Sequence, residues 1–299
     1  MEFNKDIKIK PLPVKIAKCW KKVDLRMPLN PVVAFIGSTS SGKTTNMMNL
    51  LTKRNMLKDY YKIFIFSRTY HNDSIWKNVN IDPKYVSTEY DEDRIVAILD
   101  RQMELKERYK EKHGNTDCFK PAVIIFDDMI QNLRSKYLSM LTTRNRHFST
   151  NIWILSQSYK AINPIIRNQV TNWIIFPSGN EGESKKMADE LGGKKFLTFL
   201  NYVAKTDYGF LHMDKKSPLK IRYRKGYDKF LTLKGKDVIE EKLILKWNDK
   251  LMKTKKSKCV KLNKKPKKKK KEKVFTYSMC FEDYLSSDEE SSSSSCYSY

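Results

Sequence analysis

The sequence predicts an α/β fold, a mostly parallel central sheet flanked by helices, and three observations carry that expectation. Pro31 to Thr45 reads PVVAFIGSTSSGKTT: an apolar β-branched and aromatic run, a small-residue loop, then the opening of a helical pattern. Five short apolar runs alternate with helical patterns along the chain, as a parallel sheet with helical crossovers requires. One of those runs, Ala122 to Phe126, is nearly all aliphatic, the pattern of a strand covered on both faces.

Taken in order, residues 1–29 mix lysines with Pro11, Pro13 and Pro28 and read as an extended arm. Val32 to Ile36 is the first strand. Thr44 to Leu57 places Met47, Met48, Leu50 and Leu51 at helical spacing, and Lys62 to Ser67 follows as the second strand, one helix later. Residues 70–90 are irregular and polar. Asp91 to Lys112 is a long amphipathic helix stopped by His113, Gly114 and Asn115; Ala122 to Phe126 is the third strand; a helical stretch covers Lys136 to Thr143. Ile152 to Leu155 and Trp173 to Phe176 are the fourth and fifth strands, with a short helix at Pro164 to Val170 between them. Glu183 to Leu191 reads as a helix capped by Gly192-Gly193. Tyr208 to Met213 and Lys220 to Tyr223 suit a hairpin, and Asp237 to Met252 a final helix. These elements make residues 30–250 one nucleotide-binding domain, followed by a lysine-rich segment (251–273) and an acidic, serine-rich tail (274–299) too poor in apolar residues to form a core.

The formal net charge is +25, which points to a polyanionic partner, nucleic acid ahead of an anionic membrane surface. About half of that excess is local, because Lys250 to Lys273 holds fourteen lysines against the single acid Glu272. The five cysteines are scattered with no C-x-x-C pair, which suits a reduced intracellular compartment and gives a zinc site no support. No apolar run approaches the roughly 18 residues needed to span a bilayer, and the N-terminus has no signal-peptide core, so a protein that is neither secreted nor membrane-bound is expected. In the tail, Ser286 and Ser287 precede Asp288, Glu289 and Glu290, an acidic context for phosphorylation that would strengthen pairing with the lysine block.

The chemistry sits at the strand ends. Gly37, Ser38, Thr39, Ser40, Ser41, Gly42, Lys43, Thr44 and Thr45 have the spacing of a phosphate-binding loop, whose backbone N–H groups wrap phosphate oxygens at a helix N-terminus. Lys43 would reach the β- and γ-phosphates of ATP, and the Thr44 hydroxyl would ligate Mg²⁺. The strand Val123-Ile124-Ile125-Phe126 ends in Asp127 and Asp128, which suits one carboxylate on Mg²⁺ (Asp127) and one on the attacking water (Asp128). The next strand ends in Ser156-Gln157-Ser158, where the Gln157 amide could hydrogen-bond both water and γ-phosphate as a sensor. An arginine from a neighbouring subunit commonly meets the charge developing on the transferred group. Arg167 is the first choice for that role, with Arg144 and Arg146 as alternatives.

The loop GSTSSGKT, the strand VIIFDD, the strand IWILSQS and the segment INPIIRNQVTNWIIF, in that order, resemble the packaging ATPases of large DNA viruses. These form the poxvirus-type branch of the FtsK/HerA superfamily of DNA-pumping motors, and the likeness covers roughly residues 30–215. It implies a homo-oligomeric ring that hydrolyses ATP to drive double-stranded DNA into a capsid, in the host cytoplasm where virions assemble. It also implies nucleotide contacts from Lys43 and Thr44, the metal on Asp127, Asp128 as base, Gln157 as sensor and Arg167 as trans-acting finger. Capsid or other virion proteins would be partners, and no membrane is involved. Superfamily members outside the viral branch usually carry glutamate where Asp128 stands. Two other classes start from the same loop: a nucleoside or nucleotide kinase, and a nucleotide-dependent DNA-binding scaffold that does not hydrolyse. A kinase needs an arginine-rich lid and an acceptor pocket, neither of which stands out; a scaffold has no use for two intact carboxylates.

Overall fold

The computed structural model describes residues 30–52, 60–78, 81–129, 132, 134–235 and 237–242. The expected arm (1–29), lysine-rich segment and acidic tail lie outside them, as does the part of the expected final helix beyond residue 242.

Each apolar run forms a strand: β1 (Val32–Ile36), β2 (Ile63–Ser67), β4 (Ala122–Asp127), β5 (Thr150–Ser156) and β6 (Asn172–Ile175), with the two-residue β3 (Val86–Ser87) between β2 and β4 in sequence. A four-stranded wing follows: β7 (Leu211–Asp214), β8 (Tyr223–Lys225), β9 (Lys229–Lys234) and β10 (Asp237–Lys242). All ten form one sheet in the order β10-β9-β8-β7-β6-β1-β5-β4-β2-β3. Every pairing from β6 to β3 is parallel and every pairing from β6 to β10 antiparallel.

The helices are α1 (Lys43–Leu51), α2 (Glu92–His113), α3 (Lys136–Arg144), α4 (Pro164–Gln169), α5 (Glu181–Leu191) and α6 (Gly193–Val203). Because side chains alternate along a strand, each central strand buries two faces. Val32, Ala34 and Ile36 join Ile124, Phe126, Ile152, Ile154 and Trp173 in a core covered by α2 to α6. Val33 and Phe35 join Val123, Ile125, Trp153 and Ile174 in a second core, covered by Met47, Met48, Leu50 and Leu51 of α1 and by Trp76. Burial on both faces explains why these strands read as continuous apolar runs. Helix α2 follows the expected pattern, with Asp91 accepting from the Arg94 N–H at its start and Gly114 in the left-handed conformation at its end.

Two expectations are corrected. The described part of the final helix, 237–242, is strand β10: Gly235, at φ 63°, turns the chain so that Asp237 pairs with Lys234 and Lys242 with Lys229. Glu240 then meets Lys225 and Lys229 across the wing at 3.0 and 2.7 Å, contacts that hold its carboxyl down at about 2. The Gly192 cap is as expected: α5 ends at Leu191 with the Gly192 N–H donating to the Ala188 carbonyl, and α6 starts directly after it at Gly193. A Cβ on Gly192 would lie 2.1 Å from the Tyr223 hydroxyl oxygen, so that glycine is there for close approach. Cys118, expected as a free thiol, is disulfide-bonded. The segment 70–90 has more order than anticipated, with 3₁₀ turns at Ser74–Asn78 and Pro83–Tyr85 before β3. No helix among the described residues is long and apolar enough to cross a membrane.

Candidate active site

Parallel strands open a crevice at their carboxyl ends, and here β1, β5 and β4 deliver the phosphate-type loop, Gln157 and the two aspartates to one such edge. The strand order places β5 between β1 and β4. Gln157 therefore stands between the loop and the carboxylates. Thr39, Ser40, Gly42, Lys43, Thr44, Thr45, Asp127, Asp128 and Gln157 all line a single cleft of about 720 Å³.

The two loop glycines are needed for different reasons. A Cβ on Gly37 would lie 2.6 Å from Ser41 Oγ and 2.8 Å from Phe176 Cβ, so nothing larger fits. Gly42 sits at φ 94°, where other residues are strained, and immediately precedes α1. Helix α1 has neither a side-chain cap nor an acidic residue in its first turn, which leaves its N–H groups and dipole directed into the cleft. The Lys43 ammonium donates to the carbonyls of Gly37 (2.8 Å) and Ser38 (2.6 Å), folded along the loop it follows. Burial pulls its pKa below the usual lysine value, while Asp127 and Asp128 pull the other way.

Asp127 ends β4 opposite Ser67 and is buried; Asp128, at φ 55°, is the strained left-handed residue that follows it. Desolvation first, then the charges of Asp128 and Asp73, push the Asp127 carboxyl up to about 7. An excess of negative oxygen around a buried carboxylate suits a hard divalent cation. Among the described residues no group of three His, Cys, Asp or Glu side chains converges to hold a metal by itself. Mg²⁺ keeps waters and phosphate oxygens as ligands and takes only one or two from protein, a number that Asp127 and the Thr44 hydroxyl lining the same cleft could supply.

Gln157 bridges the two halves of the cleft. Its Nε2 donates to Asp128 Oδ1 (3.2 Å), and its Oε1 accepts from Thr39 Oγ1 in the loop (3.3 Å). An ionised carboxylate only accepts, which fixes the amide this way round. Behind it, Ser158 Oγ donates to the buried Glu183 at 2.7 Å, anchoring the segment after β5 to α5.

Arg167 is not at the cleft. It is 8 % exposed, and all three guanidinium nitrogens are engaged within the chain: Nε and Nη2 on the two Glu190 carboxylate oxygens (3.0 and 3.1 Å), Nη1 on the Ile162 carbonyl (2.9 Å). Its face also lies 4.9 Å from the centre of the Tyr159 ring. The expectation of an arginine reaching into a neighbouring subunit does not suit a side chain bonded in this way. Arg144 and Arg146 are both exposed, at the amino end of β5. Arg167→Ala should leave Glu190 without its main partner and lower unfolding stability by about 2–3 kcal/mol in a denaturant titration. Mixing it with Lys43→Ala subunits should add no turnover beyond that of Arg167→Ala alone; a gain in the mixture would return Arg167 to a trans-acting role.

Several cleft residues escaped the sequence reading. Thr69, Asp73 and Ile75 come from the polar segment after β2, and Phe176 and Tyr208 close the other end. Asp73 resembles an ordinary turn residue, since it accepts from the Ile75 N–H at 2.9 Å. Only the fold shows that its charge reaches Asp127.

Comparison with known proteins adds a family. The profile of the family described as Poxvirus A32 protein matches residues 21–207. Comparison with curated proteins finds no match. Among solved structures, the genome packaging NTPase B204 from Sulfolobus turreted icosahedral virus 2 in complex with AMP is 15 % identical over 67 % of this chain and 98 % of its own, with a TM-score of 0.46. The same protein in complex with ATP-gammaS is 17 % identical over the same shares, also at 0.46. The pCW3 conjugation coupling protein TcpA, monomer form with ATPgS, is 17 % identical over 65 % of this chain and 60 % of its own, at 0.47.

Proposed function

The chain belongs to the poxvirus A32 protein family, and on that premise we propose that it is an ATP-hydrolysing motor that translocates double-stranded DNA, packaging a viral genome into the capsid. The observation that carries the reading is the Gln157 bridge from Thr39 in the loop to Asp128. A residue touching both the phosphate cradle and the base is placed to change with the γ-phosphate, and a motor needs that signal. A kinase does not.

ATP binds with its phosphates along Gly37 to Thr45, wrapped by backbone N–H groups and met by Lys43. Mg²⁺, held by the Thr44 hydroxyl and Asp127 together with phosphate oxygens, would neutralise charge on the β- and γ-phosphates. Asp128, at the edge of the cleft, accepts a proton from the attacking water, and Gln157 holds that water in line. Asp128 is the less buried of the two carboxylates, and its Oδ1 is held by the Gln157 amide.

Duplex DNA is the polyanion that the overall charge fits, through phosphate contacts that carry no sequence information. Copies assemble as a ring around the duplex, with the trans-acting arginine drawn from the exposed Arg144 or Arg146, in the host cytoplasm where virions form and next to capsid proteins. The test is one assay on the purified protein with Mg²⁺ and ATP. Release of inorganic phosphate, stimulated several-fold by duplex DNA and with no label transferred to nucleosides, is the expected result. Phosphate transfer to a nucleoside would make it a kinase, and no turnover would leave a nucleotide-dependent scaffold.

A further inference from the structure

The strand order fixes more than the position of the phosphates. Across the cleft the order is β6, β1, β5, β4, with the loop following β1 in the middle and Asp127 and Asp128 at the β4 side. Resting on the nucleotide reading above, a triphosphate whose γ-group meets those carboxylates must run its ribose and base toward the β6 side. There the cleft is walled by Phe176, which follows β6, and Tyr208.

Tyr208 is unusual in two independent ways. It is 77 % exposed, the largest exposure among the exposed large hydrophobic side chains of the described residues, and it holds φ at 52°, a left-handed conformation that a bulky aromatic residue rarely adopts. Its neighbours enforce that conformation. After α6 the Thr206 N–H donates to the Val203 carbonyl (3.1 Å) and the Gly209 N–H to the Thr206 carbonyl (2.8 Å). Residue 209 must be glycine, because a Cβ would lie 2.3 Å from the Val203 oxygen. The chain is thus locked in a turn that holds an aromatic ring out over the loop. A Cβ on Gly42 would be 3.6 Å from Tyr208 Cδ1 and 3.8 Å from Phe176 Cε1, so both rings border the loop where it enters α1. Phe176 continues into Phe210 and Tyr227 as an aromatic row, with ring centres 5.4 and 5.0 Å apart along it. Tyr227 in turn bonds Asn46 of α1, tying that row to the helix that carries Lys43.

We propose that Tyr208 is the nucleobase platform of this cleft: its ring stacks on the base of the bound nucleotide, with Phe176 as the wall behind. Backbone strain at an exposed aromatic residue is explained if the ring has a flat ligand to meet. Stacking on a tyrosine accepts every base and favours the larger purine rings modestly, so the platform gives ATP and GTP a small advantage over CTP and UTP.

The test compares full-length wild type with two variants in nucleotide binding and turnover. Tyr208→Asn removes the ring yet tolerates the left-handed backbone, and Tyr208→Phe keeps the ring. The Kd and KM for ATP are expected to rise roughly 5- to 150-fold in Tyr208→Asn, with kcat within a few-fold of wild type and Tyr208→Phe close to wild type. Inorganic tripolyphosphate, which has no base, should inhibit wild type and Tyr208→Asn equally. Equal weakening of tripolyphosphate and ATP would mean loop damage rather than lost stacking and would overturn the proposal. ATP binding by Tyr208→Asn at wild-type strength would also overturn it while leaving the nucleotide site intact. A wild type that binds neither ligand would overturn both readings.

Discussion

Lys43→Ala is expected to reduce kcat/KM for ATP by about three orders of magnitude or more, and to do so without unfolding the protein. The ammonium makes two hydrogen bonds, one to the exposed Ser38 carbonyl and one to the part-buried Gly37 carbonyl, so its removal should change stability by only about 1 kcal/mol. Function depends on it differently. Its charge is coupled to both Asp127 and Asp128, and without it the triphosphate would be brought up to two uncompensated carboxylates. Lys43→Arg should also fail, because a planar guanidinium cannot occupy the space between the Gly37 and Ser38 carbonyls that a compact ammonium fills. Equilibrium binding of ATP, steady-state turnover and a far-ultraviolet circular dichroism melt on the same preparation check all three statements.

Asp128→Asn separates binding from hydrolysis. The substitution is nearly isosteric, asparagine tolerates φ 55° as well as aspartate does, and its side-chain oxygen can still accept from Gln157. Loop, metal ligands and bridge are therefore retained while the proton acceptor is lost. Single-turnover hydrolysis should fall by about 10²- to 10⁴-fold, with ATP affinity within a few-fold of wild type. Near-normal hydrolysis would move the base elsewhere in the cleft.

The parts of the site that could be read from the sequence are those in which local chemistry and local backbone coincide. Gly37 and Gly42 to Thr45 declare themselves because a phosphate cradle demands small residues followed by a helix. Asp127, Asp128 and Gln157 declare themselves because each ends an apolar strand, and strands of this kind end at the crevice. Arg167 is ambiguous for the same reason in reverse. A short helix before a strand can carry a finger or an internal strut, and its partner Glu190 lies 23 residues further on in α5, beyond any local pattern. Asp73 and Tyr208 were hidden because a polar turn and an exposed aromatic residue look the same whether or not a cleft lies beside them. The wing was underestimated because Asp237 to Lys242 carries the paired apolar residues Val238 and Ile239, which suit a helix as well as a strand. Only pairing with β9 decides between them.

The central claim is that hydrolysis between Lys43 and Asp128 moves a duplex. The most direct test is displacement of a triplex-forming oligonucleotide from linear double-stranded DNA by the purified protein. Displacement with ATP and Mg²⁺, absent with a non-hydrolysable analogue and absent for Asp128→Asn, is the result predicted. ATP hydrolysed at full rate beside an undisturbed triplex would contradict it.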